Sequence, residues 1–165
     1  MQSLVFKPLK MNNTFVFEFE KDKDIVSQTY KSTKEKIRYD QLDAVYGDKN
    51  IYSTPQDLLK FDLATYKPDF ISEDLKKEIY KGYSYEKKGI KNYGLGIRLR
   101  EWDSGQKVFY HNGWWHGNTS SYITLKNDTV TMIALSNKYS RKVYQTMKAS
   151  ALFGDYPFKL NEESE

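Results

Sequence analysis

Apolar and polar residues are spaced differently in the two halves of the chain. Between residues 55 and 66 the apolar positions are Leu58, Leu59, Phe61, Leu63, Ala64 and Tyr66. This spacing predicts a helix of about three turns that ends before Pro68. Thr54 is the expected N-cap, Pro55 suits the first turn, and Asp57 lies where a capping-box carboxylate reaches back. A second short helix is predicted over residues 72–80, with Ser72 as its cap.

Beyond Asn92 the pattern changes from helical to strand-like, because aromatic and β-branched residues predominate. Four successive antiparallel strands are predicted, over residues 93–100, 107–111, 121–126 and 130–136. Turn-forming residues at 103–105 and 126–128 predict hairpins. Residues 141–153 carry Val143, Met147 and Ala151 at four-residue spacing, which predicts a final amphipathic helix that packs on the sheet and stops at Gly154.

The remaining segments complete an α/β (α+β) fold, an antiparallel sheet flanked by helices. Residues 3–11 are typical of the tail of a helix broken at Pro8, and such a beginning indicates a truncated chain. Residues 21–39 are mostly polar and predict a surface loop. We expect one domain portion over residues 1–160, followed by an acidic tail at 161–165.

Composition excludes several classes of function. The 26 basic and 22 acidic residues are interleaved, which argues against nucleic-acid binding. There is no cysteine, and two histidines argue against a zinc cluster, so we expect neither a metal nor a cofactor. No apolar run approaches the roughly 18 residues of a membrane helix, and no signal peptide is present. The compartment stays open, since a signal would lie on a missing part.

Three segments in this order resemble the serine β-lactamase-related family. They are residues 6–14 (FKPLKMNNT), residues 47–58 (GDKNIYSTPQDL) and residues 111–113 (HNG) followed by Gly117. The family includes class C β-lactamases, D,D-carboxypeptidases, D-aminopeptidases and esterases. The resemblance runs from about Val5 to about Asn137, and the ordered set is its strength. It implies the carboxy-terminal part of a β-lactamase/transpeptidase-like fold, and members are often periplasmic or attached to the cell envelope.

The resemblance implies a three-part site: a Ser-x-x-Lys whose serine is acylated, a Tyr-x-Asn or Ser-x-Asn, and a Lys-Thr-Gly or His-x-Gly on a strand. Only the third part is found where the family has it. The first two are expected before Met1. Chance matches at Ser84–Lys87 and Ser104–Lys107 are interpreted as surface residues, because their lysines are expected to stay solvated and protonated.

A further match to Tyr-x-Asn begins at Tyr110. Neighbouring strand residues point to opposite faces, so Tyr110 and His111 cannot share one pocket and the match is interpreted as accidental.

The family resemblance assigns roles to the third motif. His111 takes the place of the strand lysine or histidine, Gly113 lets the substrate backbone approach, and the amide N–H of Trp114 is one of two oxyanion-hole donors. Asn112, Trp115 and Gly117 are the expected substrate-binding residues. A strand histidine satisfied by a neighbouring hydroxyl is the alternative for His111, and His116 is expected to be a loop residue.

Two functions remain open. The first is a fragment of a serine hydrolase that cleaves an amide, β-lactam, D-peptide or ester and is inactive alone. It is expected to need an amino-terminal half or to self-associate, with a small molecule or peptide as substrate. The second is a non-catalytic module that grips peptidoglycan or carbohydrate with aromatic side chains, namely Tyr93, Trp102, Trp114 and Trp115.

Overall fold

A computed structural model of the chain describes residues 1–31, 35–47, 49–85 and 89–160. Its main feature is a five-stranded antiparallel sheet with helices packed on it, and a two-stranded sheet accompanies it. The predicted mixed fold with an antiparallel sheet is therefore confirmed. The acidic tail predicted at 161–165 lies outside the described residues.

The helical segments are short. The α-helices are α1 (Phe19–Asp22), α2 (Pro55–Thr65) and α3 (Glu73–Ile79). A π-helical turn spans Gln2–Phe6, a 3₁₀ turn spans Gln41–Ala44, and a 3₁₀ helix, called here the last helix, spans Arg141–Leu152. None of the helices within the described ranges has the length and apolar character needed to cross a bilayer.

The strands follow one another through the sheet in chain order. The small sheet pairs β1 (Phe15–Val16) with β2 (Ile51–Tyr52). The large sheet has the order β3 (Lys91–Tyr93), β4 (Arg98–Glu101), β5 (Lys107–Trp115), β6 (Asn118–Leu125) and β7 (Val130–Ser136). Because every connection is short and antiparallel, the sheet is a meander, and β7 forms one of its edges.

The strand predicted over residues 93–100 is wrong in one respect, since the structure contains two strands there. The chain turns between β3 and β4, where the Gly94 N–H donates to the Ile97 carbonyl at 2.7 Å. Gly96 adopts φ +74°, a left-handed conformation that glycine reaches without steric cost. The Gly94-Leu95-Gly96 sequence therefore interrupts an otherwise strand-like run.

The two central strands are longer than predicted and meet in a two-residue turn. His116 and Gly117 have φ of 40° and 86°, the signs of a type I′ hairpin turn. Gly117 is buried beneath the backbone of Tyr30, whose carbonyl oxygen would lie 2.8 Å from a Cβ added there. Both the turn and this close approach require glycine at position 117.

One face of the sheet carries the hydrophobic core. Its buried members are Val108, Tyr110, Ile123, Leu125, Met147 and Tyr156. The last helix supplies Met147, as predicted, but it is a 3₁₀ helix with three residues per turn rather than an α-helix. Its buried residues are accordingly Met147 and Ser150, three apart, rather than the four-residue series based on Val143.

The amino end of α2 joins the first part of the chain to the sheet. Thr54 caps the helix as predicted, and its side chain accepts from the Asp57 N–H. The capping-box role predicted for Asp57 is wrong. Its buried carboxylate instead accepts from the Asn13 N–H at 2.7 Å and the Thr14 hydroxyl at 3.0 Å. The carboxylate thus bonds to residues far away in sequence instead of to the backbone at the start of its own helix.

The other predicted segments agree with the structure. The helix predicted at 72–80 is α3, with Ser72 as its cap. The helical turn before Pro8 ends at Phe6. The described part of residues 21–39 is mostly exposed beyond α1, although Thr29 is buried and Tyr30 pairs with Lys36 and Lys138. The hairpin turns at 103–105 and 126–128 connect β4 to β5 and β6 to β7.

Candidate functional site

The carboxyl-terminal half of β5 has one open side. Strand β4 pairs with residues 107–110 and then ends, whereas β6 pairs with β5 from Phe109 to Trp115. No described strand lies beside residues 111–115 on the β4 side. This open edge, defined as the β4 side of residues 111–115, carries the His-Asn-Gly motif. Free backbone groups on a strand edge can bind an extended ligand.

The direction of the Trp114 N–H follows from the hairpin register. In a two-residue hairpin the flanking pair, here Trp115 and Asn118, is hydrogen-bonded across the strands. Alternation then makes Gly113–Ser120 a hydrogen-bonded pair and Trp114–Thr119 a non-hydrogen-bonded one. The backbone N–H of Trp114 consequently points to the open edge, and so do the backbone groups of Asn112.

His111 is exposed, while its neighbour Tyr110 is buried in the core. The opposite orientation predicted for these two residues is therefore confirmed. The His111 Nε2 lies 3.1 Å from the Tyr93 hydroxyl, and Nδ1 lies 3.0 Å from the Asn112 carbonyl oxygen. The Nε2 partner is thus the last residue of β3, and the Nδ1 partner is the β5 backbone at the open edge.

Gly113 is covered by a side chain of the neighbouring strand. The hydroxyl of Ser120 occupies the space that a Cβ on residue 113 would need. On the other side of the sheet, the Tyr144 hydroxyl of the last helix donates to the Gly113 carbonyl at 3.2 Å. Burial raises the Tyr144 pKa, which keeps this hydroxyl protonated as a donor. Gly113 is thus fixed from both faces.

The side chains of Asn112 and Trp114 lie on the face opposite to His111, as strand alternation requires. The Ser121 hydroxyl donates to the Asn112 Oδ1 at 2.9 Å. The ring of Trp114 packs edge-on against Tyr139 at 5.8 Å and is 61% exposed. The structure therefore separates the predicted site residues into a His111–Gly113 face and an Asn112–Trp114 face.

Trp115 and His116 are held by an acidic segment that sequence reasoning missed. The buried Asp43 carboxylate accepts from Trp115 Nε1 at 2.6 Å and contacts His116 Nδ1 at 3.0 Å. It also accepts from the Asp40 N–H at 2.7 Å, in a capping box. No local pattern signals this contact, because Asp43 and Trp115 are 72 residues apart.

The same cluster brings ligand atoms of Asp40, Asp43 and His116 within 4.8 Å of one another. Hydrogen bonds already satisfy Asp43, the buried member of the group. Asp43 therefore holds the tip of the β5–β6 hairpin in place, next to the open edge. Gly117, predicted to bind substrate, lies buried in this tip beneath Tyr30.

The chance Ser-x-x-Lys match at Ser104 does not form a nucleophile–base pair. Ser104 is exposed in the β4–β5 turn, and the Lys107 ammonium pairs with Glu101 at 2.9 Å. A protonated lysine in an ion pair cannot accept the proton of a serine hydroxyl. In the match at Ser84, Glu86 and Lys87 lie outside the described residues.

Comparison with known proteins agrees with this architecture. The Beta-lactamase family model matches residues 1–153. Penicillin-binding protein 4* of Bacillus subtilis (strain 168) is 28% identical over 181 residues, which cover 98% of this chain and 40% of the relative. The chain therefore spans well under half the length of this curated relative.

Solved structures show the same partial correspondence. An octameric penicillin-binding protein homologue from Pyrococcus abyssi superposes with a TM-score of 0.72 and 22% identity, over 92% of this chain and 36% of the homologue. A β-lactamase/D-alanine carboxypeptidase from Pseudomonas syringae gives a TM-score of 0.69 and 18% identity, over 95% of this chain and 53% of the enzyme. At these identities the likeness concerns the fold. Together with the family model, which matches most of the sequence, these findings show that the chain belongs to the β-lactamase family, whose fold it shares.

Proposed function

We propose that this chain forms the carboxy-terminal portion of a serine hydrolase site and supplies its substrate-facing strand. The Ser-x-x-Lys and Tyr-x-Asn motifs would come from an amino-terminal portion, joined to this one or carried by a separate chain. The observation that carries the proposal is the open edge of β5, towards which the Trp114 N–H points and beside which His111 lies. The reaction would be hydrolysis of an amide, β-lactam, D-peptide or ester through an acyl-serine.

In this reaction the open edge would stabilise the charge that develops on the substrate carbonyl. The serine oxygen attacks the acyl carbon as its proton passes to the lysine or tyrosine of the amino-terminal motifs, and the carbonyl electron pair moves onto the carbonyl oxygen. The Trp114 N–H would stabilise this oxyanion together with the amide of the serine. Reformation of the carbonyl expels the leaving group, which takes up the proton released by the serine, and water then hydrolyses the acyl-serine and restores the serine hydroxyl. Loss of one oxyanion donor costs on the order of a hundredfold or more in rate.

His111 and Gly113 would form part of the surface to which the substrate binds. Gly113 presents a low surface beside the edge, with Ser120 filling the space above it. Asn112 and Trp115 would contact substrate only at the margins of the edge, since Ser121 and Asp43 already hold their side chains. Gly117 would act indirectly, by allowing the turn that fixes the strand end.

The alternative of a binding module needs aromatic side chains that form one platform. The four candidate rings have different neighbours instead: Trp102 packs on Phe158, Trp115 on His116, Trp114 on Tyr139, and Tyr93 on His111. Trp102 also packs against the core cluster. The hydrolase proposal therefore has the stronger support.

Covalent labelling tests the proposal. The chain is incubated with a fluorophosphonate or a penicillin, alone and together with an amino-terminal portion that carries Ser-x-x-Lys and Tyr-x-Asn, and intact masses are measured. We expect an adduct on the amino-terminal portion, and only in the mixture. An adduct on this chain alone would refute a nucleophile located elsewhere, and no adduct in either sample would refute the hydrolase site.

A matched pair of variants links labelling to the open edge. Trp114→Pro removes the backbone N–H while keeping an apolar side chain, and it should lower the labelling rate by about a hundredfold. Trp114→Phe keeps the N–H and should label at nearly the unmodified rate. Equal rates for the two variants would contradict the oxyanion role of this N–H.

A further inference from the structure

The imidazole of His111 is held at both nitrogens by groups of different character. Nδ1 faces the carbonyl oxygen of Asn112 at 3.0 Å, and Nε2 faces the hydroxyl of Tyr93 at 3.1 Å. A carbonyl oxygen can only accept a hydrogen bond, whereas a tyrosine hydroxyl can donate or accept. The two contacts together therefore carry information about which nitrogen bears the proton.

The contact with Asn112 requires a hydrogen on Nδ1. In a neutral imidazole the other nitrogen, Nε2, then has a lone pair and acts as an acceptor. The Tyr93 hydroxyl is the donor that matches this lone pair. The arrangement thus specifies the Nδ1–H form of neutral His111, with its basic nitrogen directed at Tyr93.

Tyr93 is itself well placed to keep this contact. It is the last residue of β3, its carbonyl accepts from the Tyr83 N–H at 2.9 Å, and it pairs with Arg98 on β4. The Arg98 guanidinium lies 5.5 Å from the centre of the Tyr93 ring, within cation–π range. The rings of Tyr93 and His111 meet edge-on at 6.3 Å. Backbone and ring contacts both restrain the hydroxyl.

We propose that Tyr93 is a positioning residue that fixes the orientation and the tautomer of His111. This proposal rests on the proposed hydrolase function only for its catalytic meaning, because the tautomer is a property of the chain by itself. In the complete site, a proton shared with His111 would enter and leave at Nε2, through the Tyr93 hydroxyl. The Nδ1–H would stay on the Asn112 carbonyl at the open edge.

The tautomer can be measured directly on the 165-residue chain. Two-bond and three-bond ¹⁵N–¹H correlations distinguish the two neutral forms, and His111→Gln assigns the signals, since the chain has only two histidines. We expect the neutral imidazole of His111 to carry its proton on Nδ1 and to leave Nε2 unprotonated. A predominant Nε2–H form in the unmodified chain would overturn the proposal without any variant.

The matched variants are Tyr93→Phe and Tyr83→Phe, each of which removes one hydroxyl from a neighbouring exposed tyrosine. The Tyr83 hydroxyl donates to Glu78 rather than to a histidine. We expect Tyr93→Phe to give a mixture in which the Nε2–H form becomes visible, and Tyr83→Phe to match the unmodified chain. If Tyr93 only packs, Tyr93→Phe will change stability and leave the tautomer unchanged, which would refute positioning.

A kinetic arm separates this proposal from the proposed function. In the mixture that labels with a fluorophosphonate, Tyr93→Phe should lower the acylation rate about tenfold or more, with little change in the concentration dependence. If no mixture labels, the hydrolase function fails while the tautomer measurement still decides the role of Tyr93. An altered tautomer with an unaltered acylation rate would refute the catalytic meaning alone.

Discussion

Ser120 lies directly over Gly113, and the Ser120 hydroxyl fills the space that a side chain at position 113 would occupy. The two residues are paired across β5 and β6, in the strand half that has the open edge. Any side chain at position 113 must first displace the Ser120 hydroxyl. The smooth surface beside the candidate site is therefore a property of both residues.

Gly113→Ala should destabilise the fold modestly and Ser120→Ala should rescue it. The new methyl group forces Ser120 into another rotamer, which we expect to cost about 1–2 kcal/mol. With alanine at position 120 its Cβ would lie 3.7 Å from the new one, an ordinary contact. A double-mutant cycle by urea denaturation should show favourable coupling of about 1 kcal/mol, and additive effects would contradict it.

Asp57 anchors the segment before β1 to α2, and its replacement should be costly. Asp57→Asn removes a buried carboxylate that accepts from Asn13, Thr14 and Lys60, the last at 2.6 Å. We expect a loss of about 2–4 kcal/mol in the free energy of unfolding at pH 7. Asp74→Asn is the control, because its pair with Lys77 is exposed and worth at most about 1 kcal/mol.

The effect of Asp57 should depend on pH. Burial raises its pKa, but hydrogen bonds from Lys60, Asn13 and Thr14 outweigh this and hold the pKa below its ordinary value. The stabilisation is therefore complete above about pH 4 and is lost as the pH falls through the folded-state pKa. The difference between the unmodified chain and Asp57→Asn should shrink in acid, and a constant difference would contradict the assignment.

Local sequence patterns were sufficient for several elements and for the motif. Thr54-Pro55 marked the start of α2, because capping and the fixed φ of proline act within one turn. The turn residues at 103–105 and 126–128 marked two hairpins for the same reason. His111 and Gly113 were located by motif alone, and their neighbours at the open edge followed from alternation along a strand.

Contacts between distant residues could not be predicted in this way. Asp57 bonds to a segment 44 residues away, Asp43 bonds to Trp115 across 72 residues, and Tyr93 on β3 reaches His111 on β5 past the strand between them. Nothing in the spacing of apolar residues encodes such pairs. The strand-like pattern at 93–100 also led to a wrong prediction. The turn that Gly96 permits interrupts the run, even though its neighbours have β-propensity.

Lys126 compensates a buried charge beneath the sheet, so its removal should be strongly destabilising. Asp62 is buried on α2 and accepts from the Thr131 hydroxyl at 2.5 Å and the Tyr122 hydroxyl, while the Lys126 ammonium lies 3.3 Å away. Lys126→Met leaves the carboxylate without a cation, at a cost of about 3–5 kcal/mol.

Lys77→Met is the control for this measurement. It makes the same substitution but breaks an ion pair, Lys77–Asp74, in which both side chains are exposed. It should change the free energy of unfolding by less than about 1 kcal/mol. Equal effects of the two variants in urea denaturation would show that Asp62 does not depend on Lys126.

Alkaline pH should unfold the protein through its tyrosines. Burial raises the pKa of seven tyrosines, namely Tyr39, Tyr52, Tyr66, Tyr80, Tyr122, Tyr144 and Tyr156. The folded state keeps these protons to higher pH than the unfolded chain. Their stabilisation is therefore complete below about pH 10 and is lost as the pH rises further.

The slope of this loss is measurable. Each such group contributes up to about 1.4 kcal/mol per pH unit to the loss of unfolding free energy. Tyr156→Phe should reduce the slope by the contribution of one group. Lys126 acts in the opposite direction, because burial lowers its pKa, but it is a single group whose effect ends near pH 10.4. Unfolding free energies from urea titrations above pH 10 should fall steeply, and a flat profile would contradict the burial of these hydroxyls.

The edge strand β7 should direct self-association of the chain when no partner is present. β7 is the terminal strand of the described sheet, and its Leu135 side chain is 38% exposed. An open strand edge favours pairing with a second chain, and a charge placed on it opposes that pairing. Leu135→Lys should therefore shift the chain towards the monomer in sedimentation velocity. Leu59→Lys adds the same charge to an exposed position of α2 and should leave the association unchanged. If Leu59→Lys alone produced the monomer, the contact would lie on the helix rather than at the strand edge.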